Sequence, residues 1–439
     1  MMQNGALNSN FKFGYEINNN NYLLKITVPA YYVNNLYKHL LMSHKNETQT
    51  YGFLQGQTPL YYIENNFKVN ILEHLKEFFF IHCVVNYLYN SLINNKIPFF
   101  YDPSLVDIII QPNNDAHFIF SVSTYIIEDI SKWKRINFKA PDRKKYKDID
   151  KQVEYFLKEE LEINNNYINS EKYGKISFGD WVCFELSLID KDNNHIMSGH
   201  KDELWVRITD EEAEKEVQDI FLGKSIGDIF INNSLYFQEY ISPDLDINYS
   251  FQVYIKDHIS MSYISIDQFK HHFKIKSQKD LHTKLIEIFS FRNDISQRRE
   301  TVELLFKILF RHYLIILPYK FIDLQKNVIL NQIHNNPDYL VYKSKSDFKD
   351  KLRQLAERQL KETVLIDSIA YSENIVVDHN DIVAYLNLIK KIRTKEFIHF
   401  EAPIVKINGK DMPIPSSILK LNCLREKTLN YIINYLTGK

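Results

Sequence analysis

The chain has 439 residues, with 54 basic and 55 acidic side chains and a formal charge of −1. That length suits two to four domains, and 45% apolar residues suffice for substantial cores. Near-neutrality argues against a general nucleic-acid binder, whose affinity would come from neutralising phosphates.

The N-terminus, MMQNGALNSNFKFG, lacks the charged-then-apolar layout of a secretory signal. Residues 22–29, YLLKITVP, alternate as a strand, with Leu24, Ile26 and Val28 on one face. Helical spacing follows at 31–41 through Val33, Leu36, Tyr37 and Leu40. Next comes a loop, YGFLQGQTP, in which Gly52 and Gly56 flank the tip Phe53-Leu54-Gln55. From Pro59 the apolar set Leu60, Ile63, Phe67, Ile71, Leu75 and Phe78 predicts a helix reaching about Asn94, with Thr58 as its N-cap. His82, Asn86 and Asn90 recur every four residues there, so this is a core helix with a polar stripe and not a membrane span.

Residues 117–127 read as a strand and 133–141 as a second extended piece. The charged stretch 143–163 has helical spacing, and NNNYINSEKYG after it has linker composition. From Gly179 the pattern becomes short strands (DWVCFELSLID, ELWVRI, DIFINNSLYF, YSFQVYIKDHI) interrupted by helical EEAEKEVQDIF, which suggests a small α+β domain. Beyond Tyr263 helices are expected near 277–312, 319–335, 345–373, 379–392 and 416–437, with Asp378 and Asp381 capping the fourth.

No phosphate loop, HExxH, GxSxG or CxxC motif occurs. Neither the pair His271 and His272 nor the pair His39 and His44 has metal-ligand spacing, so no metal and no cofactor are expected. Cys83, Cys183 and Cys423 are too scattered for a zinc or redox site and read as buried free thiols of a reducing compartment.

Three stretches in register resemble the trigger factor family of ribosome-associated bacterial chaperones. GFLQGQTPLYYIENNF (52–67) looks like the family's Gly-Phe-Arg-x-Gly-Lys-x-Pro docking loop and the helix after it. GDWVCFELSLID and LGKSIGDIFINNSLYFQEY look like strands of its FKBP-like prolyl isomerase domain. LPYKFIDLQKNVI, LIDSIAYSENIVVDHNDIVAYL and LREKTLNYII look like its C-terminal helices. The resemblance implies an elongated, multidomain α+β protein. Its parts would be a docking domain (1–128), a linker (129–169), an FKBP-like domain (170–260) and a helical domain with two arms (261–439).

The implied function is ATP-independent chaperoning of nascent or unfolded polypeptide in the cytoplasm, with no membrane partner and with homodimerisation when free. An active prolyl isomerase and a non-ribosomal scaffold or assembly factor are the alternatives. Docking at the exit-tunnel protein and RNA would use Gly52, Phe53, Leu54, Gln55, Gly56, Gln57 and Pro59. Leu54 and Gln57 replace the family's basic residues, so this tip carries no formal charge. The isomerase pocket would involve Leu186, Val217, Tyr240 and Phe251. The family's Ile-Pro-Gly-Phe wall falls on Glu214-Lys215-Glu216-Val217. Charge on that wall works against the desolvation that X–Pro rotation needs, so catalysis is expected to be weak or absent.

Overall fold

The computed structural model describes residues 10–18, 21–47, 50–141, 175–211, 214–241, 249–259, 277–282, 295–334, 339–389, 398–403, 406–407 and 410–438. The helix expected at 143–163 lies outside them, as does much of the linker.

The N-terminal part is a four-stranded antiparallel sheet covered by helices. Its strands are β1 (Lys12–Asn18), β2 (Asn21–Val28), β3 (Ser104–Ile109) and β4 (Ala116–Ser123), in the order β1-β2-β4-β3. Register puts Leu24 opposite Phe120, Ile26 opposite Phe118 and Val28 opposite Ala116, and all six are fully or almost fully buried. Period-two alternation on both central strands delivers one apolar face. Against it lie α1 (Ala30–Glu47), α2 (Leu60–Phe79) and α3 (Val85–Asn94), through Val33, Leu36, Leu40, Ile71, Leu75, Phe79, Leu88 and Leu92.

The helix expected from Pro59 to Asn94 is interrupted by a π-helical turn, Phe80–Val84. That turn carries His82, whose side chain is buried. Thr58 does not cap α2. Its hydroxyl bonds that of Thr50 across the neck of the preceding loop, and Pro59 takes the cap position with no side-chain cap. Strands β1 and β3 did not figure in the sequence reading. The extended piece expected at 133–141 begins instead inside a 3-10 turn, Ile130–Arg135, that buries Trp133.

The second sheet contains β5 (Trp181–Ile189), β6 (Asp202–Arg207), β7 (Ile229–Asn232) and β8 (Ser250–Ile259), with α4 (Lys215–Phe221) and α5 (Leu235–Ile241) between strands. Four strands and α4 fall where the pattern placed them, but the stretch read as one strand, DIFINNSLYF, is extended only over Ile229–Asn232 and turns into α5 at Leu235. A fifth strand was unexpected. The C-terminal part contributes β11 (Ile414–Pro415), giving the order β11-β6-β5-β8-β7.

The rest is helical: α6 (Ile295–His312), α7 (Tyr319–Ile333), α8 (Tyr339–Lys343), α9 (Phe348–Ser372), α10 (His379–Ile389) and α11 (Ser416–Leu436). Before α11, β9 (Lys406–Ile407) and β10 (Lys410–Asp411) form a minimal antiparallel pair. The cap of α10 is as expected: Asp378 and Asp381 exchange backbone N–H to carboxylate bonds at 2.9 and 3.0 Å.

An elongated string of modules was expected, yet the described parts share cores. Residues of the N-terminal sheet and helices and of the second sheet belong to one apolar cluster. Trp133 and Phe100 pack with α6, α7, α9 and α11 in another. Trp181, Cys183 and Trp205 join Leu386, Ile414 and Leu419 in a third. All three cysteines are free and buried, and burial raises the pKa of each, which keeps them as thiols.

Candidate functional site

The loop at 52–57 stands out first. Gly52 and Gly56 have φ of +87° and +82°, a region that side chains with a Cβ avoid, and open space surrounds both. Conformation therefore demands glycine here, and packing does not. Two turns close the loop: Thr50 O accepts from Phe53 N–H, and Leu54 O from Gln57 N–H. Gly56 N–H ties it back to Lys45 O of α1 at 3.2 Å.

The tip is bare but not uniformly so. Tyr51 is 99% and Leu54 71% exposed, and Gln55 and Gln57 also face solvent. Phe53 is half-buried, its ring edge-on to Tyr62 of α2 at 5.1 Å, and Pro59 is half-buried. Leu54 and Tyr51 therefore present the apolar surface, while Phe53 braces the loop. The sequence reading singled out Phe53 and passed over Tyr51.

The four positions proposed for the isomerase pocket are all closed. Leu186, Val217, Tyr240 and Phe251 are all 3% exposed or less and lie in the same apolar cluster. Phe251 meets Phe237, Tyr249 and His82. Tyr240 directs its hydroxyl at a backbone carbonyl: it donates to Asp411 O at 2.9 Å. Burial, then the nearby Glu214, push its pKa well up, so the group stays protonated and donates.

Glu214 stands just ahead of α4 with 2% exposure. The charge held against catalysis in the sequence reading has a structural use. The carboxylate accepts the Asp411 N–H at 2.7 Å and the Thr209 hydroxyl. Asp411 is thus gripped by both its N–H and its C=O.

A third feature lies in the helical region. Between α6 and α7, residues 313–318 run with alternating burial. Tyr313, Ile315 and Leu317 point into the core, and Leu314 (77% exposed) and Ile316 (68%) point out. Tyr319, at 56%, continues the outer side, with the Arg353 guanidinium 4.9 Å from its ring centre. Three large apolar side chains left in water within six residues are unlike scattered surface hydrophobics. The alternation in YLIILP was a readable signal that the helical reading of this region passed over.

Residues 277–433 match the family model described as the bacterial trigger factor protein (TF) C-terminus. This C-terminal part is similar to the C-terminal part of bacterial trigger factor. The exposed row at Leu314, Ile316 and Tyr319 lies within the matched residues, as do Asp411 and β11. A solved structure described as "Promiscuous Substrate Recognition in Folding and Assembly Activities of the Trigger Factor Chaperone" aligns with 97% of this chain and all of its own. It is 14% identical with a TM-score of 0.36, too low to bear on the fold. No curated protein matches the chain.

Among the described residues no group of His, Cys, Asp or Glu could hold a metal ion. No described helix is long and apolar enough to cross a membrane.

Proposed function

We propose that the chain is an ATP-independent holding chaperone for nascent or unfolded polypeptide, and that it docks beside the ribosomal exit tunnel through residues 52–57. In this reading residues 1–128 dock, 170–260 form an isomerase-like body, and 261–439 hold the client. The observation that carries it is the bare row Leu314, Ile316 and Tyr319 within the residues similar to the trigger factor C-terminus. Exposed apolar side chains on rigid backbone bind apolar segments of an unfolded chain by removing surface from water. They lose that ligand once folding buries those segments, so differential affinity replaces a fuel. The solvent-facing Tyr51 and Leu54 support docking, since an uncharged apolar tip can anchor in a protein pocket.

Catalysis of X–Pro rotation draws no support from the geometry, because Tyr240 and Phe251 are sealed. The test is light scattering of a chemically unfolded client diluted into purified protein without nucleotide. The unmodified chain is expected to suppress aggregation near equimolar ratio. Leu314→Asp with Ile316→Asp is expected to lose most of that effect while keeping its unfolding midpoint. No suppression by the unmodified chain would remove the chaperone reading in favour of a scaffold. Sedimentation with ribosomes tests docking separately.

A further inference from the structure

The contacts at Asp411 form a cradle for extended polypeptide. One residue of a strand offers an N–H and a C=O. Here the Glu214 carboxylate takes the N–H of Asp411 at 2.7 Å, and the Tyr240 hydroxyl gives to its C=O at 2.9 Å. Both cradle residues are 2% exposed or less, so the groups are fixed and desolvated. Neither contact reads the Asp411 side chain. Beside them, the Lys410 ammonium sits 3.8 Å from the centre of the Tyr236 ring.

Three residues further on, the same segment becomes β11. Ile414 pairs with Trp205 and Pro415 with Leu204, covering the edge of β6. Strand addition at a sheet edge combined with main-chain clamping is a recognised way of binding peptides.

The segment is held unevenly. Ile414 is 4% exposed and belongs to an apolar cluster, whereas Asp411, Met412 and Pro413 are half-exposed. Residues 410–411 are held by the clamp at Asp411, the Lys410 contact with Tyr236 and the two-residue pairing with β9, whereas Ile414 is anchored in the apolar cluster ahead of α11.

We propose that residues 410–415 are a displaceable internal ligand, and that the cradle beneath them takes in trans an extended, proline-containing peptide strand of the same kind. The cradle is occupied intramolecularly at a high effective concentration, so an outside strand must compete. The proposal deepens the polypeptide-holding reading and rests on it only for the external ligand.

The probe is a fluorescent peptide of residues 410–416, KDMPIPS, followed by anisotropy with the full-length chain. Asp411→Pro removes the N–H that Glu214 accepts and weakens the internal ligand. It is expected to bind the peptide at least tenfold more tightly than the unmodified chain. Adding Tyr240→Phe, which deletes only the hydroxyl, is expected to reverse at least fivefold of that gain. Equal binding by the unmodified and Asp411→Pro chains, both folded by near-ultraviolet circular dichroism, overturns the proposal. So does indifference to Tyr240→Phe.

If Asp411→Pro does not fold, hydrogen exchange decides. The Asp411 amide should exchange at least fivefold faster in Tyr240→Phe than in the unmodified chain, and unchanged exchange overturns the clamp. Client aggregation reads the row at Leu314 and peptide anisotropy reads this cradle, so the two readings fail separately.

Discussion

Arg425 and Asp367 form a two-pronged ion pair, both bonds 2.9 Å, between α11 and α9. Asp367 has no exposed surface. Burial raises its pKa even though the Arg425 charge and hydrogen bonds from Arg425 and the Phe99 backbone work the other way. A buried pair of this sort adds little over an apolar pair of equal volume, but breaking it strands a charge. Arg425→Met should therefore cost about 3–5 kcal/mol in urea unfolding. Asp367→Leu added to Arg425→Met should restore most of that loss.

His200 makes a second case at this scale. Its Nε2 lies 3.0 Å from His82 O, its ring stacks on Phe11, and burial holds its pKa below the usual 6.5. The unfolded chain takes up a proton near pH 6.5 that the folded chain refuses until lower pH. Stability from this group is thus present above pH 6.5 and falls as pH drops below it. Urea midpoints at pH 7.5 and 5.5 should differ more for the unmodified chain than for His200→Gln.

Among elements, the loop at 52–57 divides its work between neighbouring residues. Leu54 touches water and Phe53 touches Tyr62. Leu54→Ser should change stability by under about 0.5 kcal/mol, while Phe53→Ala should cost about 1–2 kcal/mol. If docking uses the tip, both should weaken co-sedimentation with ribosomes, and Leu54→Ser should do so at unchanged melting temperature. Loss of binding only in proportion to lost stability would place docking elsewhere.

How much of each element could be read depended on its length and period. Strands β2, β4, β5 and β8 and the long helices α9 and α11 carry enough turns of their pattern to declare themselves. The Asp378 and Asp381 cap was legible because both partners are local. Strand β3 was not, since a bulge between Leu105 and Asp107 breaks its alternation. Strands β9 to β11 have two residues each, too few to show any period. Closure of the pocket was illegible for a different reason: Tyr240 and Asp411 are distant in sequence and meet only through the fold.

For the whole molecule, the polar stripe on the second helical stretch turns out to be a junction. Asn86 donates to Asp202 at 2.9 Å and to Glu203 O at 3.0 Å, and accepts from the Ser417 backbone at 3.0 Å. One side chain thus joins α3, β6 and α11. Nearby, Glu203 receives Lys256 and the Ser416 hydroxyl, with Lys420 at 3.7 Å. Burial opposes its ionisation, but these cations outweigh that and lower its pKa. Asn86→Ala removes all three of these hydrogen bonds, two of them buried, and should cost about 3 kcal/mol. If the three parts are coupled through it, intrinsic tryptophan fluorescence and circular dichroism should report one urea transition in the unmodified chain. Asn86→Ala should split them into two.

The pairing of Ile414 and Pro415 with β6 also bears on the order in which the protein is made. Synthesis runs from the N-terminus, so β5 to β8 emerge long before the strand that covers them. Until residue 415 has been added, β6 presents an open row of backbone donors and acceptors, ready to pair with any stray neighbour. A product halted before that point would carry the hazard permanently, in addition to lacking the whole of α11.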